Sequence, residues 1–213
     1  QGYSRLSNRL GVALVTTGGG TSNAVTGMLS AHLDSIPILL ISGNESSFHC
    51  TNIHELRAYG VQGFDSCAVF EPIVKVSTRI HQAEDVLSVL YSSAQTSLSN
   101  RKGPSHIDFP MDLQRKKIDV YKVDTSKLAE PKQKVLDEKI LNLLVQDISN
   151  SKKPLFYFGN GIRDEKSIEL AHSVIKKSGI PFVVSWSAID IFPESEALNI
   201  GRVGIYGDRH ANI

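Results

Sequence analysis

The residues best suited to touching a ligand form a run of glycines, Thr16 to Asn23, TTGGGTSN, set between an apolar strand-like run and a helix-like one. Glycine lacks a Cβ, so its backbone can approach a ligand closely and turn where other residues cannot. The free amides at the start of a helix carry a partial positive charge, and such loops often hold a phosphate or a polar ring. A tight structural turn stands as an equal alternative, because neither the GxGxxG spacing nor a Walker lysine is present. A second glycine loop, Gly159, Asn160 and Gly161, follows another strand-like run, where open α/β sheets commonly place ligands. Alone, a GNG triplet reads more simply as a plain turn. Of seven histidines only His49 and His54 lie close together, and no carboxylate or thiolate pair completes a metal-ligand set beside them. Ser, His and Asp all occur, but the GxSxG elbow of a serine hydrolase does not.

Periodicity indicates the elements that must position these loops. Gly11 to Thr17 is a continuous apolar and β-branched run, the pattern of a buried parallel strand. Val25, Met28, Leu29 and His32 recur at helical spacing within Ser22 to Leu33, with Thr21 or Ser22 as the N-cap. Ile36 to Ser42, IPILLIS, reads as a second buried strand and completes a right-handed βαβ unit. Next come a strand over Pro72 to Thr78, an amphipathic helix with Ala83, Val86, Leu87, Leu90 and Ala94 on one face, and a strand over Ser105 to Phe109. From Asp112 to Pro131 the chain turns polar without periodicity, as a linker does. Beyond it, Leu136, Ile140, Leu143 and Leu144 mark a helix, and PLFYF a strand ending at Phe158. Ile168, Ala171, Val174 and Ile175 mark a further helix closed by Gly179, and a strand starts at Ile180. The expected class is α/β, in two three-layer units with parallel sheets: residues 1–114, a linker over 115–131, and residues 132–213.

Bulk composition narrows the function. Hydrophobic residues make up 41% and charged residues 21% of 213, values of an ordinary globular protein. The formal net charge is +1, with Lys and Arg scattered among Asp and Glu, so no footprint for nucleic acid or an anionic membrane surface is present. Cys50 and Cys67 are too few for a disulfide scaffold, although one bridge between them stays open, and a reducing, cytoplasmic compartment is expected. No apolar run reaches the ~20 residues of a membrane span. The chain starts at Gln1 and stops at GDRHANI, and both ends read as interior sequence of a longer protein.

Several segments in order resemble the thiamine-diphosphate-dependent enzymes that include acetolactate synthase. Gly2 to Gly43, with the glycine run and Asp34 to Pro37, resembles the family stretch in which a TSGPGATN loop leads into a helix ending in DSVP. Tyr59 to Asp65, YGVQGFD, resembles the FQE region, and Gly103 to Gln114, GPSHIDFPMDLQ, the GPVxIxxPxDVQ end of the first domain. FGNGIR and GRVGIYGDRHAN resemble the central domain, which in acetolactate synthases carries FAD. The resemblance implies the end of a pyrimidine-binding domain followed by the start of a Rossmann-like central domain.

It also implies chemistry. Family members use the cofactor as an electron sink for decarboxylating or condensing 2-keto acids, pyruvate to acetolactate in the simplest case. By resemblance, Gly18, Gly19, Gly20, Asn23 and Gln62 border thiamine diphosphate, with Gln62 the candidate catalytic residue. Gly159, Gly161 and Gly204 are the candidate cofactor contacts of the second half. Gly19 stands where the family has proline, which loosens the loop. Gly63 stands in place of the glutamate of FQE, and Ile205 and Tyr206 interrupt the family's GMHG, so FAD stays open. No metal ligand is assigned here; Mg2+ is expected on a C-terminal domain absent from this chain, and a family active site forms between subunits of a homodimer or homotetramer. These residues alone are expected to be inactive. The alternatives are a non-catalytic Rossmann-like module holding a nucleotide or FAD, and a family member acting on a sugar, a cyclic diketone or another acyl acceptor.

Overall fold

A computed structural model describes residues 1–50, 57–119 and 136–212. The chain divides into two compact units, Gln1–Gln133 and Lys134–Ile213. Residues 120–131 of the expected linker, and His54 of the histidine pair, lie outside the described residues. Among the described residues no helix is long and apolar enough to cross a membrane.

In the first unit, helix α1 (Gly2–Ser7) leads to strand β1 (Gly11–Val15), short α2 (Gly19–Asn23), α3 (Val25–Leu33) and β2 (Ile38–Asn44). Then come α4 (Ser66–Phe70), β3 (Ser77–Arg79), α5 (Val86–Leu98), β4 (Ser105–Pro110) and α6 (Met111–Gln114). The strands form one parallel sheet in the order β1-β2-β4-β3. Strand alternation sorts the apolar residues of β2 into two layers. Ile38 and Leu40 pack with Met28 and Ala31 of α3 and Phe70 of α4. Leu39 packs instead with Ile80 and Ile107, against Val86, Val89 and Leu90 of α5.

Four local expectations change. The apolar run predicts a buried β1, yet Val12 is 63% and Leu14 78% exposed, because no described residue covers those side chains. The following helix begins at Gly19, with Gly18 as its N-cap, so Thr21 and Ser22 are not the cap. Thr21 is buried, and its hydroxyl donates to Thr16 O at 2.7 Å, tying the helix to the strand end. Pro72 falls in a 3-10 turn over Glu71–Ile73, so β3 starts only at Ser77. On α5 the buried positions are Ser93 and Ser97, while Leu87 is exposed. Small side chains there let the helix approach the sheet, and Ser97 Oγ donates to Ser105 Oγ at 2.7 Å.

The second unit contains α7 (Glu138–Asn150), β5 (Phe156–Phe158), α8 (Glu165–Ser178), β6 (Phe182–Val184) and β7 (Asn199–Arg202). Its sheet is parallel in the order β5-β6-β7. Strand β7 was not anticipated. Ala171 and Ile175 of α8 pack on Phe182, Val184 and Phe192. Gly179 ends α8 in the left-handed conformation, φ 66°, with its N–H on Ile175 O, as the sequence pattern predicts. Helix α7 forms where expected, yet its Ile140, Leu143 and Leu144 are all exposed.

Candidate functional site

The ends of β1, β2 and β4 share one edge of the first sheet, and an open cleft of about 740 Å³ lies there. Thr16, Thr17, Gly43, Glu45 and Gln114 are among its lining residues, whereas Gly18, Gly19, Gly20, Asn23 and Gln62 lie outside its lining. Ligands of parallel α/β sheets bind outside the carboxyl ends of the strands, so the topology alone points to this edge.

The glycine turn reaches that edge because Gly18 adopts φ 64° and ψ −122°, open to glycine and costly to an L side chain. Packing reinforces the requirement: a Cβ on Gly18 would lie 2.6 Å from Gln62 Oε1. Thr17 Oγ1 donates to Gln62 O at 3.3 Å. Two segments distant in sequence, the turn and the Tyr59 to Asp65 stretch, thus meet. Gly19 lies on the surface at the first position of α2, where a Cβ would meet nothing within 4 Å. That position suits proline, so the family residue would fit this backbone. Gly20 packs against Thr16, and Asn23, the last residue of α2, is exposed.

Gln62 sits on a tight loop. Tyr59 and Gly63 exchange both backbone hydrogen bonds, at 3.2 and 2.9 Å, and Gly60 makes the reversal with φ 61°. Gly63 is buried, and a Cβ there would lie 2.6 Å from Glu45 Cγ. Its smallness is therefore a packing requirement in this chain.

A buried polar network lies beneath the loop. Asp108 of β4, fully buried, accepts from Arg79 Nε at 2.6 Å and from Asn44 Nδ2 at 2.9 Å. Asn44 Nδ2 also donates to Phe64 O at 3.2 Å, and the Tyr59 hydroxyl donates to the same carbonyl. Arg79 continues to Asp65 Oδ1 at 3.2 Å and Cys50 O at 3.3 Å, and Asp65 caps α4 through Ala68 N. Burial pushes the Asp108 carboxyl up, against the pull of Arg79 and Asn44. Burial likewise pushes up the Cys50 thiol, and that of Cys67 to about 11, so neither is a ready thiolate. Both cysteines are free, so the bridge left open by the sequence is not formed.

His106, also fully buried, stacks on Phe70 and bonds Ser42 Oγ at 2.8 Å and Ser77 Oγ at 2.9 Å. Desolvation first, and then the charge of Arg79, lower its pKa to about 4, so it is a neutral structural group. His49 is exposed, and among the described residues no group of three or more His, Cys, Asp or Glu could hold a metal ion.

In the second unit, Gly159 and Gly161 follow β5, and Gly204 follows β7. Gly159 has an ordinary extended φ of −111°, and a Cβ on Gly161 would meet nothing within 4 Å. Gly204, at φ 127°, shares two hydrogen bonds with the Asn212 side chain. Sequence reading missed Asn44, Glu45, Arg79 and Asp108. The one available signal was a charge, Asp108, inside an otherwise apolar strand, a placement that implies a partner.

Residues 1–67 match the thiamine pyrophosphate enzyme N-terminal TPP binding domain, and residues 141–213 match the central domain of the same enzymes. The chain is 30% identical over its whole length to the acetolactate synthase large subunit of Lactococcus lactis, 36% of whose length it covers. It is 27% identical to the isozyme 3 large subunit of Escherichia coli, again over the whole chain and 36% of the relative. It is 29% identical to the chloroplastic acetolactate synthase 2 of Nicotiana tabacum, covering 31% of that protein. The chain thus spans about a third of these relatives.

Proposed function

The chain belongs to the thiamine pyrophosphate enzymes, and from that premise we propose that the full-length protein decarboxylates or condenses 2-keto acids with thiamine diphosphate, in the manner of an acetolactate synthase. The observation that carries this reading is the meeting of the Gly18 turn with Gln62 at the carboxyl edge of a parallel sheet.

The residues present suit the ring end of the cofactor. Gly19 leaves open space that a flat ring can approach, flanked by Gly18, which Gln62 covers, and Gly20, which Thr16 covers, and the exposed Gln62 amide can both donate and accept a hydrogen bond. Bound there, thiamine diphosphate supplies the electron sink for loss of carbon dioxide from a 2-keto acid. Gln62 and the Gly18 to Gly20 backbone orient the ring, and Asn23 stands at the exposed end of α2 to meet a polar edge. Mg2+ and the diphosphate are proposed to be held by parts of the protein outside these units. Gly159, Gly161 and Gly204 are proposed to border FAD or another nucleotide, and the assembly is proposed to be a homodimer or homotetramer. Two unbridged cysteines suit a reducing compartment such as the cytoplasm.

The test is turnover of pyruvate by the full-length protein, with and without thiamine diphosphate and Mg2+. Acetolactate formed only with the cofactor supports the reading. Cofactor binding without pyruvate turnover moves the substrate to another acyl donor, and absence of binding rejects the reading.

A further inference from the structure

Glu45 lies directly after β2, at the lip of the cleft, and the family resemblance assigns it nothing. Its Oε1 accepts from Val61 N at 3.0 Å and from Gln62 N at 3.3 Å. Its Cγ occupies the space that any side chain at Gly63 would need, and its carboxylate fills the concave side of the Gly60 turn. Gln62 is therefore held at three points: its amide by Glu45, its carbonyl by Thr17, and its side chain against Gly18. A carboxylate receiving two backbone amides makes charge-assisted bonds, stronger than a neutral acceptor would. Val61 and Gln62 are exposed, so loss of these bonds leaves no buried donor unpaired and the fold should survive.

We propose that Glu45 is a positioning residue, whose carboxylate clamps residues 59–63 and sets Gln62 over the glycine turn at the distance the cofactor ring requires. The inference rests on the reading of the Gly18 turn and Gln62 as part of the thiamine diphosphate site. The clamp itself does not depend on that reading.

Two measurements on the full-length protein separate the claims. Amide hydrogen exchange without cofactor is compared in wild type, Glu45→Ala and Glu45→Gln, with the β2 amides of Leu39 to Ile41 as the folding control. In Glu45→Ala, exchange at Val61 and Gln62 should rise about tenfold while β2 is unchanged, the scale set by bonds to a charged acceptor. Glu45→Gln, which keeps an acceptor oxygen, should restore most of the protection. Calorimetric titration with thiamine diphosphate and Mg2+ should then show Kd raised about tenfold in Glu45→Ala and largely rescued in Glu45→Gln. Glu45→Ala added to Gln62→Ala should bring no further loss, because the two act through one side chain. Unchanged exchange at Val61 and Gln62 overturns the clamp. An affinity loss that adds to that of Gln62→Ala overturns the positioning role. A wild type that binds no thiamine diphosphate overturns the functional reading, while the exchange rates still decide for or against the clamp.

Discussion

The two glycine loops look alike in sequence and differ in what surrounds them. Each follows a parallel strand and precedes a helix. Gly18 has a φ and ψ combination, 64° and −122°, that only glycine adopts readily, and a neighbour, Gln62, that leaves no room for a Cβ. Gly161 has ordinary backbone and open space. Beneath the first loop lies a buried network joining Arg79, Asp108 and Asn44. Beside the second, Arg163 pairs with Asp190, whose side chain is 63% exposed. A glycine cluster at a strand end is thus weak evidence by itself. Packing partners brought from elsewhere in the chain distinguish a built site from a turn.

The largest expected difference between the loops is in their ion pairs. Asp108→Ala should cost about 3 kcal/mol, because Arg79 loses its fully buried partner and keeps only the part-exposed Asp65, and Asn44 loses an acceptor. Asp190→Ala should cost less than about 1 kcal/mol, as exposed pairs do. Chemical denaturation of both variants compares them directly, and equal costs would break the contrast. The next effect is acid sensitivity confined to the first unit. Folded His106 has a pKa of about 4, below the unfolded value of 6.5, so between these pH values only the unfolded state takes up the proton. Its contribution is complete above pH 6.5 and is lost as pH falls toward 4, by about 3 kcal/mol. Denaturation midpoints against pH should show this slope, and His106→Gln should remove it.

The smallest effects concern the glycines. Gly18→Ala should destabilise by about 1–3 kcal/mol through backbone strain and contact with Gln62, whereas Gly161→Ala should stay within about 0.5 kcal/mol of wild type. Gly19→Pro should stabilise by about 0.4–1 kcal/mol, since proline suits the first helical position and restricts the unfolded chain. Thermal melts of the three variants should rank them in that way.

Much of the scaffold was legible in the sequence because it depends on near neighbours. The strand, turn, helix and strand around the glycine run, the end of α8 at Gly179 and the α/β class follow from local periodicity and capping. The exposure of β1 was not legible, since an apolar run records what a strand can bury and not which of these residues cover it. The burial of Ser93 and Ser97 defeats a rule based on apolar spacing, because closeness of approach rather than hydrophobicity selects small residues there. The site was half legible. Gly18 and Gln62 emerged from a family resemblance, but the Glu45 clamp and the Asp108 network join residues remote in sequence, and no local pattern encodes such pairs.

The measurement that bears most directly on the Gly18 turn and Gln62 as the cofactor site is calorimetric titration of the full-length protein with thiamine diphosphate and Mg2+, comparing wild type, Gln62→Ala and Gly161→Ala. Weakened binding is expected in Gln62→Ala at unchanged melting temperature, and wild-type binding in Gly161→Ala. Wild-type affinity in Gln62→Ala, or a loss in Gly161→Ala as large as that in Gln62→Ala, would contradict the assignment.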